Sequence, residues 1–545
     1  MLETCGGWEG QYGQNFARRY TEEMIASSGT YDRTRNSLRN SIVATCMQLA
    51  AVLIGFWSRR IFINYLGLEV LGLNTMATSL LQFLNLTELG IGSAIAVTLY
   101  KPVHDGDRDR VREIVALQGW LYRIIALIVM MGSAVMMCFF PRIFTKVDLP
   151  MWYAYASFGV LLYSSLLSYF FNYKQILLDA CQLNYKVQYA AKLVSNIKLI
   201  AQALAVKFLT DGYLWWLVLE VVSATVTTVI LAGTINRTFP FIRERVEKPS
   251  LLRHKYPTVV TKVKQLFVHK IGTFAIGYAI PLIIYALYEE GPASLIAKYG
   301  NYQLFTTNLN TILTACFLGL AASVGNMVAE NDSRLTMKVF RELFCVRFVI
   351  TAVFCFCLWF LIDPFITLWL GREFLLSRTT LLLIILVFCM QNTRNVVDVY
   401  LNAYGMFQDV WAPVAEAAIC LGLAFLLGSH YGLDGILAGQ LISQIVIAKI
   451  WKPVFLFRFG LRQPLGIYLG LYGKFAAVAA VTLVTLLGID SLVTMNPSES
   501  FGTFSVYALI VFVSSLLLMT GLMYLAEDGM RGFFRRMLAV IGWKK

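Results

Sequence analysis

"RRIFINYLGLEVLGLNTMATSLLQFLNLTELGIGSAIAVTLYKP", residues 59–102, is apolar for about twice the length that one membrane crossing needs, and polar residues punctuate it. Two adjacent arginines, Arg59 and Arg60, open it; Asn74, Asn85 and Glu88 lie inside it, and Gly90 and Gly92 follow. Apolar runs continue on both sides. The whole chain of 545 residues is 58% hydrophobic and 14% charged, with a mean hydropathy of +0.65, whereas a soluble domain carries about 25% charged residues. Composition therefore excludes a soluble protein and predicts one embedded in the bilayer. Only helices and closed barrels satisfy the backbone in lipid, and long continuous apolar runs are incompatible with the ten-residue alternation of a barrel. The expected fold is an all-α polytopic membrane protein.

Runs at 40–64, 70–99, 116–140, 151–178, 187–207, 213–235, 266–288, 299–327, 344–369, 379–403, 411–430, 434–457, 468–488 and 502–526 predict fourteen transmembrane helices. The eighth is expected to open with a polar, Asn-rich turn. Lys and Arg in short loops stay on the cytoplasmic side. They collect in the N-terminal arm (Arg18, Arg19, Arg33, Arg35, Arg39), in the even-numbered loops (Lys101, Arg108, Arg110, Arg112; Arg334, Lys338, Arg341), in the 236–265 loop and in the C-terminal tail, while the odd loops are nearly bare. Both termini are thus expected in the cytoplasm, and the net charge of +14 reads as topology rather than as nucleic-acid binding, because no basic stretch is interleaved with stacking aromatics. The first 36 residues have no apolar core and so are not a signal peptide; they are either a cytoplasmic arm or a consequence of the start at Met1, since Met24 would also serve.

Chemistry-bearing clusters are sparse. Ten cysteines fall mostly within apolar runs, none in a CxxC or Cys/His ligand spacing, and read as small packing residues. The four histidines, His104, His254, His269 and His430, are scattered, so no metal site and no metal or organic cofactor are expected. Neither a catalytic acid/base pair nor a Gly-rich phosphate cradle stands out, which argues against an enzyme and against intrinsic ATPase activity.

Internal repetition is more informative. "LLQFLNLTELGIGSAIAVTLYKP" (80–102) is similar to "NLNTILTACFLGLAASVGNMVAE" (308–330). Gly90 then aligns with Gly319, and at the same spacing Arg112-Glu113 aligns with Arg341-Glu342; further on, "LLDACQLNY" (177–185) is similar to "YLNAYGMFQ" (400–408). This predicts two parallel, pseudo-symmetric six-helix lobes plus two C-terminal helices. The expected division is a cytoplasmic arm at 1–36, an N-lobe at 37–235, a basic linker at 236–265, a C-lobe at 266–460, and the last two spans with a basic tail at 461–545. Two lobes related by an axis along the membrane normal are a transporter architecture, with substrate near the midplane between them.

The 59–102 stretch, its echo in the seventh and eighth spans and the helix count together resemble the Wzx-type polysaccharide flippases of the MOP superfamily, which also holds MATE drug exporters and the lipid II flippase. The resemblance covers about residues 37–460, most specifically 55–102. It implies a bacterial inner-membrane protein that moves an undecaprenyl-diphosphate-linked oligosaccharide to the outer leaflet by alternating access, for a capsule or O-antigen type of surface polysaccharide, alongside a polymerase and other assembly proteins. A cation-coupled MATE-type drug exporter is the alternative; a membrane-bound polymerase or glycosyltransferase is a third.

Intramembrane charge is costly and faces a cavity or a partner. Arg59 and Arg60 therefore have two readings: an anchor at the outer interface, or part of a cationic lumen whose guanidinium groups hold phosphate oxygens bidentately. Lys174, Lys192, Lys198, Lys270 and Arg394 extend the lumen reading. Asp398 lies four residues after Arg394, the spacing of an ion pair on one helix face; Glu88 is placed to neutralise Arg59 or Arg60 when the cavity is empty. The acids Glu88, Asp179, Glu220, Asp363, Asp398 and Glu416 look dispersed. Pro281 is expected to bend the seventh span as a gate hinge. Coupling to H⁺, to Na⁺ or to the membrane potential alone stays open.

Overall fold

Lipid offers a backbone amide no partner outside its own helix, and the described residues are mostly helical. The computed structural model describes residues 30–85, 91–146, 148–181, 183, 186–187, 189–243, 252, 255–256, 277–317, 324, 327–328, 332–406, 408–409 and 411–540, and no strand occurs among them. The helices used below are α1 (Thr30–Leu84), α2 (Ile91–His104), α3 (Arg108–Cys138), α4 (Trp152–Phe170), α5 (Gln175–Ala180), α6 (Val194–Phe208), α7 (Gly212–Thr238), α8 (Gly277–Leu287), α9 (Pro292–Phe317), α10 (Ser333–Trp369), α11 (Arg378–Ala403), α12 (Trp411–Leu461), α13 (Leu465–Leu492), α14 (Phe501–Ala526) and α15 (Asp528–Val540). Their starts are chemically marked. Asp107 and Asp332 accept backbone amides at the heads of α3 and α10, Ser377 caps α11, and Ser500 with Thr503 forms a capping box on α14.

Eight helices among the described residues are long and apolar enough to cross a membrane, or nine if the bent pair α4–α5 counts as one. Two of the eight are double. The apolar part of α1, Cys46–Leu84, has 39 residues, and α12 has 51; at 1.5 Å per residue these would be roughly 60 and 75 Å long if straight. Each is divided at a glycine with left-handed backbone, Gly67 (φ 84°) and Gly432 (φ 58°), a conformation that a Cβ disfavours. Past Gly432 the chain folds back on itself: a Cβ on Gly435 would lie 2.1 Å from the Leu427 carbonyl oxygen, and one on Gly439 would lie 2.5 Å from the Ala424 nitrogen. Small residues let the two arms touch backbone to backbone. The turn falls between the eleventh and twelfth runs read from hydropathy.

Contacts divide the chain into two units. The first comprises Met1–Leu66, Leu84–Pro141 and Trp152–Phe267; the second comprises Gly67–Phe83, Arg142–Met151 and Val268–Lys545. In the first, α3 packs on α2 and α4, and α7 on α4 and α6. The fourth span is broken: α4 and α5 meet at 53° around the tight turn Asn172–Lys174. Neighbours bind the polar groups at this break. Gln118 of α3 donates to the Tyr173 carbonyl at 3.0 Å, Asn172 donates to Thr228 at 3.3 Å, and Tyr169 donates to Asn85 at 2.8 Å.

In the second unit α10 is the hub. It packs against α11, α13, α14 and α15, so the last two spans are tied to the third span of the second half. Phe344, Phe348, Tyr468 and Phe475 fill the space between α10 and α13, with aromatic rings 5.3–5.5 Å apart. The polar opening expected for the eighth span is helix instead: α9 begins at Pro292, a residue suited to a first helical position. Asn301 and Tyr302 are fully buried within it, and Tyr302 donates to Asp363 of α10 at 2.9 Å. A buried partner across the unit lets helix win where composition alone suggested a turn. Lys146 closes the end of α8, donating to the carbonyls of Tyr285, Ala286 and Tyr288 at 3.4, 3.2 and 3.0 Å.

Gly435→Leu is expected to abolish recovery of a monodisperse protein from detergent, whereas Gly422→Leu, in the same hairpin with open space around its Cβ position, should give a wild-type size-exclusion profile. Equal profiles for the two would contradict the backbone contact at Gly435.

Candidate functional site

The largest buried charge cluster among the described residues is in the second unit, on one face of α11. Arg394 donates through Nε to Asp398 at 2.9 Å and through Nη1 to both oxygens of Glu416, at 2.7 and 3.0 Å. Lys452 closes on the other Asp398 oxygen at 2.5 Å. Only 2% of the Glu416 side chain and 10% of that of Lys452 are exposed, whereas Asp398 is 31% exposed, so the network is buried at Glu416 and opens at Asp398. One turn away, Lys449 donates to the Thr393 hydroxyl and stands 5.0 Å from the centre of the Tyr472 ring. Arg347 of α10, 1% exposed, binds α11 on another face: it donates to the Asn392 carbonyl at 3.0 Å, to the Asn392 side chain at 2.9 Å and to the Leu313 carbonyl at 2.9 Å, beneath the Phe317 ring.

Within the cluster Arg394 and Lys452 balance Asp398 and Glu416. Lys449 adds a further cation, set against a neutral hydroxyl and an aromatic face, which stabilise a cation without neutralising it. The local pair read from sequence, Arg394 with Asp398, is present but shared, and two of the dispersed acids, Asp398 and Glu416, converge on one guanidinium. Sequence reading missed Arg347, Lys449 and Lys452. The two lysines were visible as interruptions of the twelfth apolar run, "IVIAKIWKPVF"; Arg347 was masked by the strong hydropathy around it.

The first unit carries a second polar seam. Lys198 of α6 pairs with Glu220 of α7 at 2.8 Å, and the buried Gln202 donates to the other Glu220 oxygen at 3.0 Å and to the Trp216 carbonyl at 2.9 Å. Lys192, on the π turn before α6, donates to Gln48 of α1 at 3.3 Å. Arg59 and Arg60 lie in the arm of α1 that precedes Gly67, where helix runs past Ser58; Arg59 is half-buried and Arg60 exposed. Lys174 sits on the turn that breaks the fourth span, 5.8 Å from the Tyr173 ring. Glu88 and Lys270 lie outside the described residues. Pro281 lies in α8, which is unbroken from Gly277 to Leu287, and the residues before Gly277 on which a bend would act are also outside them. No group of three or more His, Cys, Asp and Glu side chains is placed to hold a metal ion among the described residues.

Among solved structures, the chain is similar to the lipid II flippase MurJ in an inward closed conformation, with a TM-score of 0.60 and 15% identity over 92% of this chain and 99% of that one. The fold is that of the MOP transporters. An inward-facing multidrug resistance MATE transporter of the MOP superfamily matches with a TM-score of 0.59 and 12% identity over 77% of this chain and 99% of that one. A mutant form of the Vibrio cholerae MATE transporter VcmN matches with a TM-score of 0.55 and 13% identity over 79% of this chain and 99% of that one. No protein-family profile and no curated protein matches the sequence.

Removing one member of a buried ion network strands the others, at about 3–5 kcal/mol. Glu416→Ala should therefore lower the thermal unfolding midpoint in detergent markedly. Asp109→Ala, which breaks a surface pair whose acid is 83% exposed, should change stability by less than about 1 kcal/mol. Similar melting of both variants would remove the network from any structural role.

Proposed function

We propose that this protein is a flippase that carries an undecaprenyl-diphosphate-linked oligosaccharide from the cytoplasmic to the outer leaflet of a bacterial inner membrane by alternating access. The observation that carries the reading is the buried cluster around Arg394, where Lys449 stands in excess over the two carboxylates, joined to a likeness to MurJ that takes in more of this chain than the likeness to the MATE transporters does. A diphosphate head group brings concentrated negative charge, and guanidinium groups bind its oxygens in pairs. Arg59, Arg60, Lys174, Lys192, Lys198 and Lys270 add cationic positions along the path, in this reading. Both termini face the cytoplasm, and polysaccharide-assembly proteins such as a polymerase take up the product. Outward movement of an anionic head group is favoured by an inside-negative potential, at about 2.3 kcal/mol per charge per 100 mV, so the potential can drive transport with or without H⁺ or Na⁺ exchange.

The competing reading is a cation-coupled drug exporter of the MATE type, which needs carboxylates available to Na⁺ or H⁺. Here Asp398 and Glu416 are engaged by Arg394 and Lys452, which favours the flippase.

Cells depleted of the protein should accumulate a complete lipid-linked repeat unit, read by mass spectrometry, and lose the surface polymer. Re-expression of wild type should restore the polymer; Arg59→Ala and Arg60→Ala should insert normally and fail to restore it. Normal lipid-linked pools together with new drug sensitivity would replace this reading with the exporter, and full restoration by both arginine variants would return the pair to an interfacial anchor.

A further inference from the structure

Outside the buried cluster, the described residues of the second unit gather positive charge at one end of the unit, where α14 ends and α15 begins. Helix α15 has Met530, Phe533, Phe534 and Met537 at the spacing of one helical face; Met530 is buried, Phe533 and Phe534 pack on the core, and Met537 is exposed. Its other face bears Arg531, Arg535 and Arg536. An amphipathic, basic helix that follows a span after a single residue lies at the level of the lipid head groups. It is seated on the first turns of α10: a Cβ on Gly529 would press on the Arg341 carbonyl at 3.0 Å, one on Gly532 on the Glu342 carboxylate at 2.7 Å, and Arg536 pairs with Glu342 at 2.9 Å.

Between α10 and α15 are two adjoining cavities of about 400 and 410 Å³ that share Lys338, Glu342 and Asp528 in their walls. Six cations and two carboxylates line them. Both carboxylates are paired, Glu342 through Oε2 with Arg536 and Asp528 with Arg531 at 2.8 Å, while the buried Oε1 of Glu342 has no hydrogen-bond donor among the described residues. That leaves Arg334, Lys338, Arg341 and Arg535 around the cavities with no acidic side-chain partner among the described residues, and the buried Nε of Arg341 and of Arg531 finds no hydrogen-bond acceptor among them. Cavities of this volume, this charge and unused guanidinium donors are complementary to a phosphate group.

We propose that the α10–α15 cavities bind an anionic phosphate group, presented at the membrane surface by a phospholipid of net negative charge or by free phosphate. The site stands apart from the cluster around Arg394 and from the transport reading. Choline beside the phosphate would meet the same cations, so zwitterionic phosphatidylcholine is expected to be rejected.

The test uses the full chain in detergent, with binding read by native mass spectrometry and by shift of the unfolding midpoint on adding phosphatidylglycerol, phosphatidylcholine or inorganic phosphate. Phosphatidylglycerol should bind at least tenfold more tightly than phosphatidylcholine. Lys338→Gln/Arg341→Gln and, separately, Arg334→Gln/Arg535→Gln should each weaken it at least tenfold, while Arg237→Gln, at an exposed arginine elsewhere, should leave it unchanged. Inorganic phosphate that binds with the same variant sensitivity and displaces the lipid would identify free phosphate as the source; failure to displace it would identify the lipid. Equal binding of both lipids, or wild-type affinity in both double variants with their unliganded melting intact, would overturn the site.

Discussion

Arg394 is gripped by two carboxylates at once, and the second unit is arranged around that fact. Asp398 comes from its own helix, and Glu416 from the first arm of the α12 hairpin. Lys452, from the second arm, answers Asp398. Three helical segments are thereby fixed in register by charges that are largely withdrawn from water, Glu416 most of all, because burial of an unpaired charge is far more expensive than burial of a greasy side chain. The backbone contacts at Gly435 and Gly439 hold the two arms close enough for Glu416 and Lys452 to reach the same face of α11. Apolar packing in lipid is nearly indifferent to register, since lipid tails are as apolar as leucine; directional contacts of this kind are what specify it.

The same logic explains why α10 carries so much charge for a helix so deeply enclosed. Glu342, Arg347 and Asp363 lie on it, all nearly buried, and each is answered by a different neighbour: Arg536 of α15, Asn392 of α11 with the Leu313 carbonyl of α9, and Tyr302 of α9. Each polar side chain selects one orientation. The last two spans then complete the enclosure with aromatic and methionine contacts, so the second unit gains a wall on the side of α10.

Much of this architecture is legible in the sequence because hydropathy and glycine placement are local signals. The spans, the break between the eleventh and twelfth runs and the i,i+4 partnership of Arg394 and Asp398 all follow from neighbours in the chain. The site is less legible. Glu416 and Lys452 reach Arg394 and Asp398 from 22 and 54 residues away, and nothing in a linear pattern says which faces of three helices will meet. Arg347 is hidden for a different reason: in "CVRFVI" one charge is outvoted by five apolar neighbours in any averaging window, although a lone arginine there must find buried oxygens and so marks the helix face that does. The start of α9 was misread because Asn301 and Gln303 look like turn residues until a buried tyrosine and aspartate supply a reason for helix.

The internal repeat also acquires physical content. Asp107 and Asp332 cap α3 and α10, and the pairs Arg112-Glu113 and Arg341-Glu342 follow within the next turns. In both copies the glutamate is largely buried, 18% exposed for Glu113 and 3% for Glu342, and both require a partner. The partners have no counterpart in each other. Glu113 is bound by Lys255 at 2.6 Å and Tyr256 at 2.5 Å, from the stretch that joins the two halves, whereas Glu342 is bound by Arg536 from the C-terminal helix. A helix that begins with a buried carboxylate imposes the same electrostatic demand in each half, and the demand is met by whichever basic segment follows that half in the chain. Lys255 and Arg536 thus do equivalent structural work, each neutralising a largely buried glutamate of its own unit.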